Sequence, residues 1–417
     1  MKVTAKILLH GAHIADLSSD GKISSFMLLD SYKDNPNRDT LSLSIFSMSP
    51  ERLTVFESLN APLPAFIKIL LPEGAIREQL IEDSEMAINE DSFEADVYLL
   101  DLCGSDLTGA ISVIDVEHEG VFDDFREKIV KAIVPEKART LSGAQAKLSV
   151  NKRKGRLTLP YKNETGSFIA KPQPEGKHPH IALNEYLHMK LAKKMGLNVP
   201  GVELIHAKIG KDAKERSYYV VERFDRTQDG QKIHMEELHQ ILSFGLTIDS
   251  NSKYDDYSYS EVISFLSSVD KKLKTNITVE YLKELAYSAL IGNADFHLKN
   301  SALLYLDGRT PSKAPSYDLL CTEYHGFRSI AVRLYDDVKI SVNDFDESVY
   351  YQVLDKAGLK EGKYLDIFNS FQDKIFDEFQ NLIAEDEILQ KGSNRGFVDS
   401  IDYRLKNLCL AGQPSPR

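Results

Sequence analysis

Gly292-Asn293-Ala294-Asp295-Phe296-His297-Leu298-Lys299-Asn300 is the stretch on which the reading of this chain turns. It follows an apolar helical pattern over 279–291 and precedes a short apolar run, 301–306, with strand character. Asp295 and Asn300 lie five positions apart. A carboxylate beside an attacking hydroxyl, and a neutral amide oxygen for a hard cation, are what phosphoryl transfer requires. Lys299 between them suits neutralisation of charge on a transferring phosphate. A second carboxylate is expected after a short hairpin. The chain supplies it: the turn Asp307-Gly308-Arg309 leads to Ala314-Pro315-Ser316-Tyr317-Asp318.

The spacing equals that of the protein-kinase catalytic loop, where an Asp accepts the substrate hydroxyl proton and an Asn holds magnesium. On that template Asp295 and Lys299 are the catalytic residues, and Asn300 and Asp318 hold Mg2+ for bound ATP. Singly, each residue has an ordinary explanation as a self-capped turn, a strand-initiating loop residue or an N-cap. In this order they favour a catalytic constellation. His297 alone is more often a packed or solvent-facing histidine; it has no second histidine at metal spacing, which argues against zinc, and it is counted as a candidate ATP-binding residue. Asp295 and Asp318 also fit a glycosidase pair, but the flanking amides and lysine favour phosphate.

The rest of the nucleotide site is expected upstream. Lys171 ends the apolar strand Phe168-Ile169-Ala170, where its ammonium suits the α and β phosphates, and Glu185 on the next helix is the candidate to orient it. The ordinary alternative for that pair is a surface ion pair. Ser142-Gly143-Ala144-Gln145-Ala146-Lys147 offers a glycine and a lysine before a strand, a candidate phosphate loop without the repeated glycines of the common fingerprints. Glu222-Arg223-Phe224 closes the β-rich part and reads as the hinge that meets adenine.

Outward from these motifs, the 417 residues exceed one ordinary domain, and 42% hydrophobic with 27% charged content is that of a globular protein. A net charge of −12 argues against whole-chain attraction to nucleic acid or anionic lipid. Lys152-Arg153-Lys154 reads as a solvated turn. Cys103, Cys321 and Cys409 form no metal or disulfide pattern and fit a reducing cytoplasm. The N-terminal apolar run is too short for a signal sequence, and no stretch reaches the ~20 apolar residues of a membrane span. Strands are expected at 2–10, 24–29, 41–46, 110–116, 147–150, 157–159, 168–171, 202–209 and 218–221. Helices are expected at 77–86, 93–102, 122–134, 182–195, 279–291, 346–357, 365–384 and 397–410. The fold class is α+β: a two-lobed, kinase-like chain with an N-terminal domain at 1–135, β-rich over about 1–60. An ATP-binding lobe at 136–226 and a helical lobe at 227–417 complete it.

The chain resembles the HipA family of toxin kinases. The resemblance rests on Leu71-Pro72-Glu73-Gly74 with Arg77, residues 104–110, Gly143-Ala144-Gln145 with Lys147, Lys171, Asn184-Glu185, residues 222–226, His234 with Glu236 and Gln240, residues 292–300 and residues 314–318. It implies a kinase fold distantly similar to lipid kinases and an ATP- and magnesium-dependent Ser/Thr kinase that inhibits translation and promotes dormancy. Asp295 would be the base, Asn300 and Asp318 the magnesium ligands, and Lys171 with 142–147 the ATP site. It also implies a small helix-turn-helix antitoxin, operator DNA bound through that antitoxin, and an aminoacyl-tRNA synthetase substrate, notably the glutamyl enzyme. The family's autophosphorylated serine is replaced by Thr140, with Ser142 nearby, so phosphorylation falls at one of these two. The competing readings are a small-molecule or lipid kinase and a kinase-like regulatory module in an antitoxin–DNA complex without turnover.

Overall fold

Alternation of buried and exposed residues sets the first strands of the computed structural model: in β1 (Lys2–Leu9), Ala5, Ile7 and Leu9 face inward and Lys6 faces out. The structure describes residues 2–19, 23–46, 56–59, 63–71, 77, 93–103, 107–116, 147–160, 165–176, 178–209, 215–243 and 252–411. It divides into two units, one of Met1–Pro172, Ile205–Asp249 and Ala302–Pro311, the other of Gln173–Leu204, Ser250–Ser301 and Ser312–Arg417.

In the first unit, β1, β2 (Ala12–Ser19), β3 (Ile23–Leu28), β4 (Phe56–Leu59) and β5 (Ile111–Asp115) form a sheet in the order β4-β3-β2-β1-β5. His10 and Gly11 join β1 to β2 with both φ angles positive, the backbone of a tight hairpin turn. Helix α1 (Phe93–Cys103) covers this sheet and buries Val97 and Leu100 in a core with Ile7, Leu17, Phe26 and Phe66. Phe26 and Phe66 meet edge to face at 5.3 Å.

A second sheet contains β6 (Leu148–Arg153), β7 (Arg156–Thr158), β8 (Phe168–Pro172), β9 (Val202–Ala207) and β10 (Arg216–Glu222) in the order β7-β6-β8-β10-β9. Lys154 and Gly155, both at positive φ, turn β6 into β7, so the basic triplet at 152–154 is a hairpin end in solvent. β11 (His234–Glu237) pairs antiparallel with β12 (Ala302–Tyr305).

Buried polar groups tie these pieces of the first unit together. Asp225 accepts from the Arg223 Nε at 2.9 Å, from Arg226 at 2.7 Å and from the Gly109 amide at 3.0 Å, while Arg226 also donates to the Leu107 carbonyl. Burial alone would raise the Asp225 carboxyl, but Arg223, Arg226 and the Gly109 amide outweigh it and hold it down to about 2. Gly109, at φ +70, stands where a Cβ would come within 2.7 Å of the Met235 carbonyl, so both conformation and closeness demand glycine. His234 meets the Leu41 carbonyl at 2.8 Å, and Glu236 accepts from the Leu43 amide and the Tyr305 hydroxyl. Burial pushes the Glu236 carboxyl up to about 7.

That arrangement corrects the strand expected over 41–46. Leu43–Phe46 is a helical turn: Ser42 Oγ accepts from the Ser44 amide and Glu236 from the Leu43 amide. Side chains thus take backbone groups that a strand would offer to a neighbour. β2, β4 and β11 are further strands that periodicity did not single out.

The second unit is mainly helical: α2 (Ile181–Lys194), α3 (Tyr259–Leu273), α4 (Ile277–Ile291), α5 (Glu347–Lys356), α6 (Gly362–Glu385) and α7 (Arg395–Ala411). Ser258 and Glu261 form a capping box at the start of α3. Asp270 accepts the Ile277 and Thr278 amides and so caps the start of α4 from the preceding helix. Tyr281, Leu285 and Ile291 are buried along α4, which packs on α6. Among the described residues, no helix is long and apolar enough to cross a membrane.

Candidate active site

α4 ends at Gly292, which adopts φ 77 and closes the helix through its amide onto Ser288 and Ala289. A Cβ there would also fall 2.6 Å from the Arg404 guanidinium carbon, at the movable end of a side chain from α7. The chain then leaves the helix as a loop fastened on several sides. The Thr322 hydroxyl accepts from the Ala294 amide at 2.7 Å, Glu323 donates to the Gly292 carbonyl at 3.0 Å, and Ala331 donates to the Ala294 carbonyl at 2.7 Å. Phe296 lies between Tyr259 and Tyr281, and the Tyr259 hydroxyl donates to its carbonyl at 2.6 Å.

This anchoring decides where Asp295 points. Its neighbours Ala294 and Phe296 are 4% and 2% exposed, whereas the Asp295 side chain is 49% exposed. A carboxylate is held outward on a fixed loop, as a base that must meet an incoming hydroxyl requires. Its own amide donates to Asn293 Oδ1, and Asn300 Nδ2 donates to its carbonyl at 2.9 Å. That bond spans the five-residue interval.

His297 is largely buried, with Tyr254 edge-on at 5.2 Å, and its Nε2 lies 4.0 Å from Asp295 Oδ1. Nδ1 accepts from the Lys299 amide, so the proton sits on Nε2, facing the carboxylate. Burial first, then Lys253 and Lys299, lower its pKa to about 3 against the pull of Asp318. Because the folded value is depressed, its contribution to stability is present above the ordinary value of 6.5 and is lost as pH falls toward 3. The His297 ring nitrogens should therefore show no titration by NMR between about pH 5 and pH 8. A midpoint inside that window would contradict the burial described here. Lys253, which shares this cluster, is a residue that motif reading missed.

Asp318 adopts φ 55, a conformation L-residues take at a cost of about 1–3 kcal/mol unless the surroundings impose it. Here they do. Ser316 donates to the Asn198 carbonyl at 2.8 Å, the Tyr317 hydroxyl to the Lys299 carbonyl at 2.8 Å, and Cys321 to Asn184 Oδ1 at 2.9 Å. Asn184 returns a bond to the Cys321 carbonyl, also at 2.9 Å. The structure thus gathers Asp295, His297, Lys299, Asn300 and Asp318 in the second unit.

Amide and carboxylate oxygens at Asn300 and Asp318 fit a hard cation such as magnesium, which takes one or two protein ligands and completes its shell with water and substrate phosphate. Among the described residues, no cluster of three or more His, Cys, Asp or Glu side chains is arranged to hold a metal.

In the first unit, Lys171 of β8 is buried, its Nζ 5.6 Å above the ring of Tyr219, to which it is register-paired on β10. Glu222 ends β10, and the Arg223 amide donates to the Ser167 carbonyl at 2.9 Å. The Arg223 guanidinium donates to both carboxylate oxygens of Asp225. Lys147 stands exposed just before β6. Thr140 and the loop Ser142, Gly143, Ala144, Gln145 and Ala146 lie outside the described residues.

An outward carboxylate on a helix-terminal loop, followed by an amide and a second carboxylate in the same unit, is a set of groups that suits phosphoryl transfer. The fold agrees: it matches HipA of Shewanella oneidensis, solved with HipB and operator DNA, with a TM-score of 0.75 over 98% of this chain and 97% of that one at 20% identity. Residues 5–114 match the HipA N-terminal domain and residues 139–379 the HipA-like C-terminal domain. The chain belongs to the HipA family. A Sinorhizobium fredii relative named "Putative kinase Y4dM" is 32% identical over 77% of this chain and 78% of its own. The Shewanella oneidensis protein named "Serine/threonine-protein kinase toxin HipA" is 25% identical over 84% of this chain and 82% of its own.

Proposed function

We propose that this chain is the kinase toxin of a toxin–antitoxin pair, transferring the γ-phosphate of ATP to a serine or threonine of a protein. The observation that carries the reading is Asp295, exposed between two buried neighbours, with Asn300 bonded to its carbonyl. Asp295 accepts the acceptor hydroxyl's proton, and Lys299 offsets negative charge on the transferred group. Asn300 and Asp318 hold magnesium, which when bound supplies charge neutralisation on the phosphates. Lys171, Lys147 and the loop 142–146 take the ATP phosphates, the backbone of Glu222, Arg223 and Phe224 takes the adenine, and His297 is a further ATP-binding residue.

A small helix-turn-helix antitoxin is the proposed partner, supported by the Shewanella protein of this fold having been solved with HipB and operator DNA. A net charge of −12 favours DNA contact through that partner. The proposed substrate is an aminoacyl-tRNA synthetase, the glutamyl enzyme first, with self-inactivation by phosphate on Thr140 or Ser142. Phosphoproteomics of cells expressing the chain beside its Asp295→Asn variant tests this. Synthetase phosphosites confined to the parent chain are expected; no difference between the two would overturn the reading.

A further inference from the structure

Glu284 lies on α4, two turns before the catalytic loop, and is fully buried. Its Oε2 accepts from the Ser301 hydroxyl at 2.9 Å and pairs with Lys313 Nζ at 3.0 Å, in a site where the side chains are 0% and 5% exposed. Ser301 directly follows Asn300. Lys313 also donates to the Ala314 carbonyl at 3.0 Å, at the head of the run that reaches Asp318. One carboxylate therefore holds the chain at the residue directly after Asn300 and at the start of the segment that leads, five positions on, to Asp318.

The grip is poorly suited to stability alone. Glu284 Oε1 is buried with no hydrogen-bond partner among the described residues. A buried ion pair with an unsatisfied oxygen repays its desolvation badly, and apolar residues of similar size commonly fill such a site at no loss. What apolar side chains cannot do is tie a hydroxyl and an ammonium to one point.

We infer that Glu284 is a positioning residue that, through Ser301 and Lys313, sets the separation of Asn300 and Asp318 and so tunes magnesium affinity. This rests on the kinase reading, because it presumes those two residues as the ligands. Groups that orient metal ligands from behind typically change metal affinity 10–100-fold when removed.

The test uses the full chain with a non-hydrolysable ATP analogue and Mn2+ as the metal probe, followed by electron paramagnetic resonance. The variants are Ser301→Ala, which removes one arm without unbalancing charge, and Glu284→Gln with Lys313→Met, which removes the other without leaving a buried ammonium. Both should weaken Mn2+ binding about tenfold or more, with nucleotide affinity in the absence of metal unchanged. Unmoved Mn2+ affinity in both variants, with or without a lower thermal midpoint, would make the cluster an ordinary structural ion pair and overturn the inference. If the parent chain binds no Mn2+ with the analogue, the kinase reading falls as well. Binding by the parent with unmoved variants overturns the positioning role alone.

Discussion

Asp295→Asn should lower the turnover of phosphoryl transfer about 10³-fold while leaving ATP affinity and thermal midpoint at their parent values. The substitution is nearly isosteric, and it keeps the backbone bonds that this residue makes within the loop. The Asp295 amide donates to Asn293, and its carbonyl accepts from His297 and Asn300. The charge and basicity of a half-exposed side chain change. His297 stays neutral and keeps its bond from the Lys299 amide. Transfer within tenfold of the parent, measured with labelled ATP at saturating magnesium, would show that Asp295 is not the base.

The largest expected effect on stability lies elsewhere, in the first unit. Asp225→Ala leaves the Arg223 and Arg226 guanidinium groups buried without their shared counter-charge, and frees the Gly109 amide and the loop it holds. Removing one partner of a buried ion pair costs about 3–5 kcal/mol, far more than the pair itself contributes over an apolar replacement. A loss of that size should appear as a lower urea midpoint. A loss below about 1 kcal/mol would mean that water reaches the cluster and that it behaves as a surface pair.

What could be read beforehand depended on distance along the chain. The loop 292–300 and the helix before it were legible because the informative features, an apolar period, a glycine cap and a five-residue Asp–Asn interval, are all local. The hairpin at Lys154-Gly155 was legible for the same reason. The fastening of the loop was not. Ala294 meets Thr322 across 28 residues and Asn184 meets Cys321 across 137, and no period or spacing carries such a pairing. Glu284 carries no local signal, because the Ser301 and Lys313 groups it meets come from beyond its helix. The strand expected over 41–46 failed because its apolar alternation is real, with Leu41, Leu43 and Ile45 all buried, while Ser42 and Glu236 take the hydrogen bonds that alternation cannot report.

Arg223 shows the same limit. In sequence it sits inside a hinge motif and invites a role at the nucleotide. In the fold its guanidinium donates to both oxygens of Asp225, which also accepts from Arg226, a buried cluster within the first unit that the motif does not announce.

The most direct test of the central claim is the intact mass of the purified chain, with and without a candidate synthetase, after incubation with ATP and magnesium. Stepwise additions of one phosphate (about 80 Da each), abolished by chelating the metal and absent from Asp295→Asn, are the expected result. Tight ATP binding with no added mass on either protein, or equal incorporation by the Asp295→Asn chain, would contradict it.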